Sequence, residues 1–282
     1  MYKTIDGKQI ASSIRADLKQ KITEFKNKTA CEICLAVVLV GQNPASQIYV
    51  RNKIKACEEV GIKSCAYYLA DTATQKELED LISCLAENDE INGILVQLPL
   101  PKHLSDKALK LIPDCKDVDG FSANNIGKLC LNSESTVACT PFGVMKMLEY
   151  ENIEISGKNA VVVGRSNIVG RPMAMLLLNE DATVTICHSK TANLKEQCLK
   201  ADILVCAIGK PKFITADMVK EGAVVIDVGM NRDEEGKLCG DVDFENVKEK
   251  CSYITPVPGG VGPMTITMLM YNTYLAALRS KI

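Results

Sequence analysis

Tyr49 and Lys53 stand four residues apart in Ser46-Gln-Ile-Tyr-Val-Arg-Asn-Lys53, a spacing that puts both side chains on one face of a helix. A phenol beside an amine suits proton transfer and the orientation of a flat ring, provided that a bound molecule shields the amine from water. Two further candidates lie in polar loops: Gln97, which opens Gln97-Leu-Pro-Leu-Pro101, and Asp119, in Lys116-Asp-Val-Asp-Gly120. Each also has a plain structural reading, since a helical lysine is usually solvated and an aspartate before glycine is usually a turn carboxylate. The set is more informative than any one member. The two histidines, His103 and His188, have no neighbours at metal-ligand or triad spacing, so histidine acid–base catalysis is not expected. Cys31-x-x-Cys34 has no second pair or histidine partner, and no metal site is expected from it.

A second kind of chemistry is written in Ala160-Val-Val-Val-Gly-Arg-Ser-Asn-Ile-Val-Gly-Arg-Pro172. An apolar strand breaks at Gly164, turns, and resumes as a helix, whose first N–H groups are expected to hold a phosphate. The turn departs from the common dinucleotide fingerprint, because Ser166 stands where the second glycine belongs and the spacing to Gly170 is longer. The next strand ends Cys187-His-Ser-Lys190, without the carboxylate that holds an NAD ribose. Arg165, Ser189 and possible help from Lys190 suit a 2′-phosphate instead, so the expected cofactor is NADP. His188 reads as a polar wall of that site. Gly209 and Gly229-Met230 follow later strands, where backbone approaches a ligand closely.

The elements that must position these residues follow from periodicity. Ile10, Ile14, Leu18, Ile22 and Phe25 mark one amphipathic helix from Asp6 to about Lys28. Leu35 to Val40 is a strand. A helix capped by Ser46 runs to Val60 and stops at Gly61. Strand at Lys63 to Leu69, helix at Thr74 to Asn88 and strand at Gly93 to Val96 complete a βαβαβ series with a parallel sheet. A short helix is expected at Ser105 to Ile112, and Thr140-Pro141 opens a helix to about Tyr150 that connects two domains. Strands at Ala160 to Val163, Thr183 to Cys187, Ile203 to Ala207 and Val224 to Val228 alternate with helices at Pro172 to Leu178, Asn193 to Lys200 and about Thr215 to Lys220. This is a Rossmann-like series. Ile254 to Pro263 is too rich in glycine and proline for regular structure, and Met264 to Leu278 is a closing helix.

The expected fold is therefore α/β with two domains. An N-terminal three-layer domain takes residues 1–139 and 264–282, and a Rossmann-like domain takes 140–263, with the C-terminal helix returning to the first. A net charge of -2 without a basic stripe argues against nucleic acid as the main partner. The 13 cysteines sit mostly in apolar runs and read as small reduced hydrophobes of a cytoplasmic protein. No apolar run is long enough to cross a membrane, and no secretory or transit segment opens the chain.

The chain resembles the bifunctional methylenetetrahydrofolate dehydrogenase/methenyltetrahydrofolate cyclohydrolase family. The resemblance is carried by Pro44-Ala-Ser-Gln-Ile-Tyr-Val-Arg-Asn-Lys53, Gly93-Ile-Leu-Val-Gln-Leu-Pro-Leu-Pro101, Lys116-Asp-Val-Asp-Gly-Phe121, Thr140-Pro-Phe-Gly143, Val163-Gly-Arg-Ser-Asn-Ile-Val-Gly170 and Thr255-Pro-Val-Pro-Gly-Gly-Val-Gly-Pro-Met-Thr265. It implies that Lys53 is the central catalytic residue, with Tyr49 and Gln97 beside it and Asp119 holding the folate. It also implies folate contacts at Val96, Leu98, Pro258, Gly259 and Gly260. NADP contacts are implied at Gly164, Arg165, Ser166, Ile168, His188, Ser189, Gly209 and Met230, the last standing where the family often has isoleucine. A homodimer is implied as well. The chemistry implied is oxidation of 5,10-methylenetetrahydrofolate and hydrolysis of the methenyl product to 10-formyltetrahydrofolate, with Lys53 acting either as a base or by activating water through Gln97. Two other readings compete with this one. A different NADP dehydrogenase acting on a small carbonyl or amino acid leaves Tyr49, Lys53, Gln97 and Asp119 unexplained as a set, and a non-catalytic NADP sensor has no need of them.

Overall fold

The computed structural model describes residues 2–280. In chain order the elements are β1 (Lys3–Thr4), α1 (Gly7–Thr29), β2 (Cys34–Val40), α2 (Pro44–Val60), β3 (Lys63–Leu69), α3 (Gln75–Glu87), β4 (Gly93–Val96), α4 (Ala123–Cys130) and α5 (Cys139–Tyr150). Then come β5 (Asn159–Val163), α6 (Gly170–Asn179), β6 (Thr183–Cys187), α7 (Leu194–Cys198), β7 (Ile203–Cys206), β8 (Ala223–Asp227), β9 (Asn231–Arg232), β10 (Leu238–Cys239), α8 (Phe244–Val247), β11 (Cys251–Ile254) and α9 (Val261–Arg279). The chain divides into two compact units. The first holds Ser13–Lys128, Glu134–Cys139 and the segment from Ile266; the second holds the segment up to Ser12, Leu129–Ser133 and Thr140–Thr265.

In the first unit β2 lies between β3 and β4, all parallel. Every residue of β2 is buried, as a strand covered on both faces requires. Its alternate residues Cys34, Ala36, Val38 and Val40 share a core with Leu78, Ile82 and Leu85 of α3 and with Ile94 and Val96 of β4. Thr74 and Glu77 close a reciprocal capping box at the start of α3. The expected Ser46 cap on α2 is corrected: the helix starts at Pro44, and Asn43 Oδ1 accepts the Ser46 N–H over 3.1 Å. Proline takes the first helical position because it has no N–H to satisfy there, so the cap falls on the residue before it. At the other end the N–H groups of Gly61 and Ile62 both reach the Cys57 carbonyl, with Gly61 at φ +87.

The second unit is a six-stranded sheet in the order β1-β11-β8-β7-β5-β6, with every neighbouring pair parallel. Strands β1 and β11 were not expected. Two-residue β1 is too short to leave a periodic signal, and its pairing with β11 is what puts the first residues in this unit. Helix α5 starts at Cys139, so Pro141 lies inside its first turn rather than at its first position. The helix expected at Thr215 to Lys220 is a single 3₁₀ turn at Ala216–Met218. Helix α4 and the β9–β10 hairpin were also missed; both are too short for period to reveal.

Most of the cysteines are buried packing residues, while Cys84, Cys115 and Cys130 are exposed. Cys187, Cys198, Cys206 and Cys251 share one core with Val161, Val163, Leu204 and Val225. Burial pushes the Cys198 and Cys251 thiols up to about 12. Cys34 Sγ lies 3.4 Å from Cys65 Sγ on the neighbouring strand, while the Cys31 thiol turns to the Thr29 carbonyl.

Candidate functional site

In a parallel sheet the loops at the carboxyl ends of the strands face one way and are where ligands bind. In the first unit α2 leaves the carboxyl end of β2 and brings up Tyr49 in its second turn and Lys53 in its third. Val96 ends β4 and is buried, and Gln97 and Leu98 follow it. Asp117 forms a parallel bridge with Ile94, so its segment runs beside β4 and delivers Asp119 to the same edge. Lys53, Gln97 and Asp119 are partly buried, and Tyr49 is 40 % exposed.

Lys53 Nζ donates to Gln97 Oε1 over 2.9 Å. Gln97 Nε2 is engaged by the Leu98 carbonyl at 2.6 Å, which fixes the amide with its oxygen toward the lysine. Burial pushes the Asp119 carboxyl up to about 6; the Lys53 charge opposes that rise and the Asp117 charge adds to it. The site therefore pairs a lysine with an amide and keeps a reluctant carboxylate within electrostatic reach.

The Asp119 turn is braced by residues that sequence reasoning did not single out. Asp117 accepts hydrogen bonds from the N–H groups of Gly120 and Ser122 and from Asn125 Nδ2, at 2.9, 2.8 and 3.0 Å. Asn272 Nδ2, from α9, donates to the carbonyls of Val118 and Val137, both at 2.9 Å. Lys116 closes the end of α3 by donating to the carbonyls of Ala86 and Asn88. The Lys-Asp-Val-Asp-Gly spacing was a usable signal for Asp117, while Asn272 left none.

In the second unit the expected cofactor residues fall at the carboxyl ends of four adjacent strands. Gly164, Arg165, Ser166 and Ile168 follow β5, His188 and Ser189 follow β6, Gly209 follows β7, and Met230 follows β8. Strands β6 and β7 flank β5, which makes this the point where strand order reverses. Arg165, Ser166, Ile168, Ser189 and Met230 are exposed. His188 Nδ1 accepts the Lys190 N–H over 3.1 Å, so that ring nitrogen is engaged by its own loop. Gly164 has φ +134, and a Cβ there would collide with the Ala207 carbonyl oxygen, so the turn requires glycine. The loop of Pro258, Gly259 and Gly260 precedes α9 and belongs to this unit.

One expectation about the turn changes. Ser166 Oγ accepts the N–H groups of Val169 and Gly170 at 3.2 and 3.4 Å, and the Ser166 carbonyl accepts that of Arg171. The donors expected to hold a phosphate at the start of α6 are thus already engaged by Ser166. What the turn offers an anion is Arg165, with Ser189 and Lys190 exposed after β6. No carboxylate stands at the end of β6 to favour a ribose 2′-hydroxyl.

Two family models match the chain. Residues 5–119 match the family described as tetrahydrofolate dehydrogenase/cyclohydrolase, catalytic domain, and residues 138–281 match its NAD(P)-binding domain. The bifunctional protein FolD of Agathobacter rectalis is 56% identical over 280 residues, covering 99% of this chain and 100% of its own. The bifunctional FolD methylenetetrahydrofolate dehydrogenase/cyclohydrolase of Campylobacter jejuni matches with TM-score 0.96 and 52% identity over 99% of both chains. The Trypanosoma brucei enzyme, solved with NADP cofactor and inhibitor, matches with TM-score 0.94 and 38% identity over 99% of this chain and 98% of that one. With a catalytic domain and an NAD(P)-binding domain both matched, the chain belongs to the tetrahydrofolate dehydrogenase/cyclohydrolase family.

Proposed function

We propose that this chain oxidises 5,10-methylenetetrahydrofolate with NADP and hydrolyses the methenyl product to 10-formyltetrahydrofolate. The observation that carries the reading is the Lys53–Gln97 hydrogen bond beside a carboxyl raised to about 6. NADP, when bound, supplies the hydride acceptor. Two nitrogens flank the carbon that gives up hydride, so the cation is stabilised by the substrate itself, and the protein contributes positioning. Tyr49 stacks on the pterin. Asp119, once ionised, accepts two hydrogen bonds from the pterin donor edge.

Hydrolysis needs proton movement. Water adds to the methenyl carbon and loses a proton, then one carbon–nitrogen bond opens as that nitrogen gains a proton and the new hydroxyl gives up its own to become the formyl oxygen. Lys53 takes the proton from water, or orients the water through Gln97. On the cofactor side Arg165 and Ser189 recognise the 2′-phosphate, and Gly164, Ser166, Ile168, His188, Gly209 and Met230 contact the dinucleotide. Pro258, Gly259 and Gly260 add folate contacts without bulk at the glycines. An anaerobic assay with 5,10-methylenetetrahydrofolate and either nicotinamide cofactor, following NADPH and 10-formyl product separately, tests the whole reading. Turnover of a hydroxy acid with none of the folate would overturn it.

We also propose a homodimer. Strand β3 is an edge of its sheet, pairing among the described residues only with β2, and Tyr68 on it is 64% exposed. An edge of this length invites pairing with a second copy. A monomer mass in solution at micromolar concentration would count against it. The 13 free cysteines support a reducing, cytoplasmic setting, and among the described residues no helix is long and apolar enough to cross a membrane.

A further inference from the structure

Two buried aspartates of the second unit take no part in the chemistry above. Asp241 is 0% exposed, and both its oxygens are engaged. Oδ2 accepts the N–H groups of Ile208 and Gly209 at 2.6 and 3.1 Å, and Oδ1 accepts those of Lys210 and the Asn231 side chain at 2.8 and 2.9 Å. Three consecutive amides converging on one carboxylate make an anion nest, here filled from within. Asp227, the last residue of β8, is 3% exposed and accepts the N–H groups of Gly229, Asp241 and Val242, each at 2.9 Å. Its own N–H goes to Thr255 Oγ1 at 2.7 Å. Gly240 is what lets the two strands of this arrangement meet, since a Cβ there would collide with the Asp227 carboxylate.

The loop after β7, with Gly209, and the loop after β8, with Met230, therefore hang from one buried carboxylate pair. Burying such a pair is costly, and the cost is visible at Asp227, whose carboxyl is pushed up to about 7 by burial against the pull of the Asp241 and Val242 amides. Apolar side chains would fill the same space without that cost, but they would not fix the course of two irregular loops.

We propose that Asp241 and Asp227 are positioning residues that hold the Gly209 and Met230 loops in the form that receives the dinucleotide, and so set cofactor affinity without touching folate hydrolysis. The proposal rests on the assignment of Gly209 and Met230 to the cofactor. An asparagine at Asp241 keeps the shape but turns one acceptor into a donor facing N–H groups, which releases part of the nest.

The test uses the full chain. Hydrogen–deuterium exchange of the wild type is measured with and without NADP, and then exchange, NADP affinity and NADP-free hydrolysis of methenyltetrahydrofolate are measured for Asp241→Asn and Asn231→Ala. In the wild type NADP slows exchange in both loops; no slowing there overturns the cofactor assignment and the proposal with it. In Asp241→Asn the NADP dissociation constant rises by at least about tenfold, faster exchange is confined to the two loops, and hydrolysis stays within about twofold. Asn231→Ala, which removes one donor of four, moves affinity the same way by a smaller factor. Slowing in the wild type with unchanged affinity in both variants overturns the positioning role alone. So does faster exchange throughout β5 to β8, which would mark a merely structural pair.

Discussion

Lys53 Nζ and Gln97 Oε1 lie 2.9 Å apart, a hydrogen bond that ties the third turn of α2 to the first residue after β4. Because the other end of the Gln97 amide is held by the Leu98 carbonyl, the lysine is aimed by a group that cannot turn away without losing its own partner. Gln97→Ala should therefore lower the cyclohydrolase kcat by roughly 10²-fold, the lower end of what a positioned proton-transfer group contributes. NADP affinity, measured by fluorescence titration, should stay unchanged.

Asp119 predicts a pH dependence with a definite sign. Its carboxyl is raised from 3.8 to about 6, so the ionised form proposed to accept from the pterin is lost as pH falls through about 6. The kcat/KM for folate should decline below that pH with unit slope, and Asp119→Asn should be low and free of this inflection. Stability runs the other way. The unfolded chain ionises this group from about pH 4 upward, before the folded one does, so the group costs stability progressively to about pH 6 and fully above it. Asp119→Asn should raise the Tm at pH 8 and leave it unchanged near pH 3.5, as differential scanning fluorimetry would register.

Arg165 is exposed after β5, and nothing at the end of β6 offers a carboxylate. Arg165→Ala should weaken NADP by roughly 10–100-fold, the worth of a charge-assisted hydrogen bond, while NAD changes little. Isothermal titration with both nucleotides separates this from a general loss, since equal weakening would remove the 2′-phosphate role.

Gly164 combines φ +134 with contact against the Ala207 carbonyl. Gly164→Ala should cost about 3 kcal/mol from strained backbone alone, seen as a lower urea midpoint, and cofactor binding should fall with it.

How much of this was legible in the sequence depended on the kind of interaction. The helix face shared by Tyr49 and Lys53 and the fully buried β2 follow from period and hydropathy, which are local. The Gly61 stop follows from a single backbone preference. By contrast, Ser166 folding back onto the start of α6, Asn272 reaching Val118, and Asp241 gathering three amides are polar contacts to backbone. Such contacts impose no repeat on side-chain types. Two-residue β1 escaped for a related reason: its partner is distant in the chain, with Lys3 opposite Tyr253.

In the function proposed above, Lys53 carries the ring opening and other residues bind NADP. The direct measurement is hydrolysis of 5,10-methenyltetrahydrofolate by Lys53→Met, followed at the methenyl absorbance, with NADP binding titrated on the same preparation. Hydrolysis should fall to the uncatalysed rate while NADP binds as in the wild type. Ring opening at the wild-type rate in that variant would contradict it.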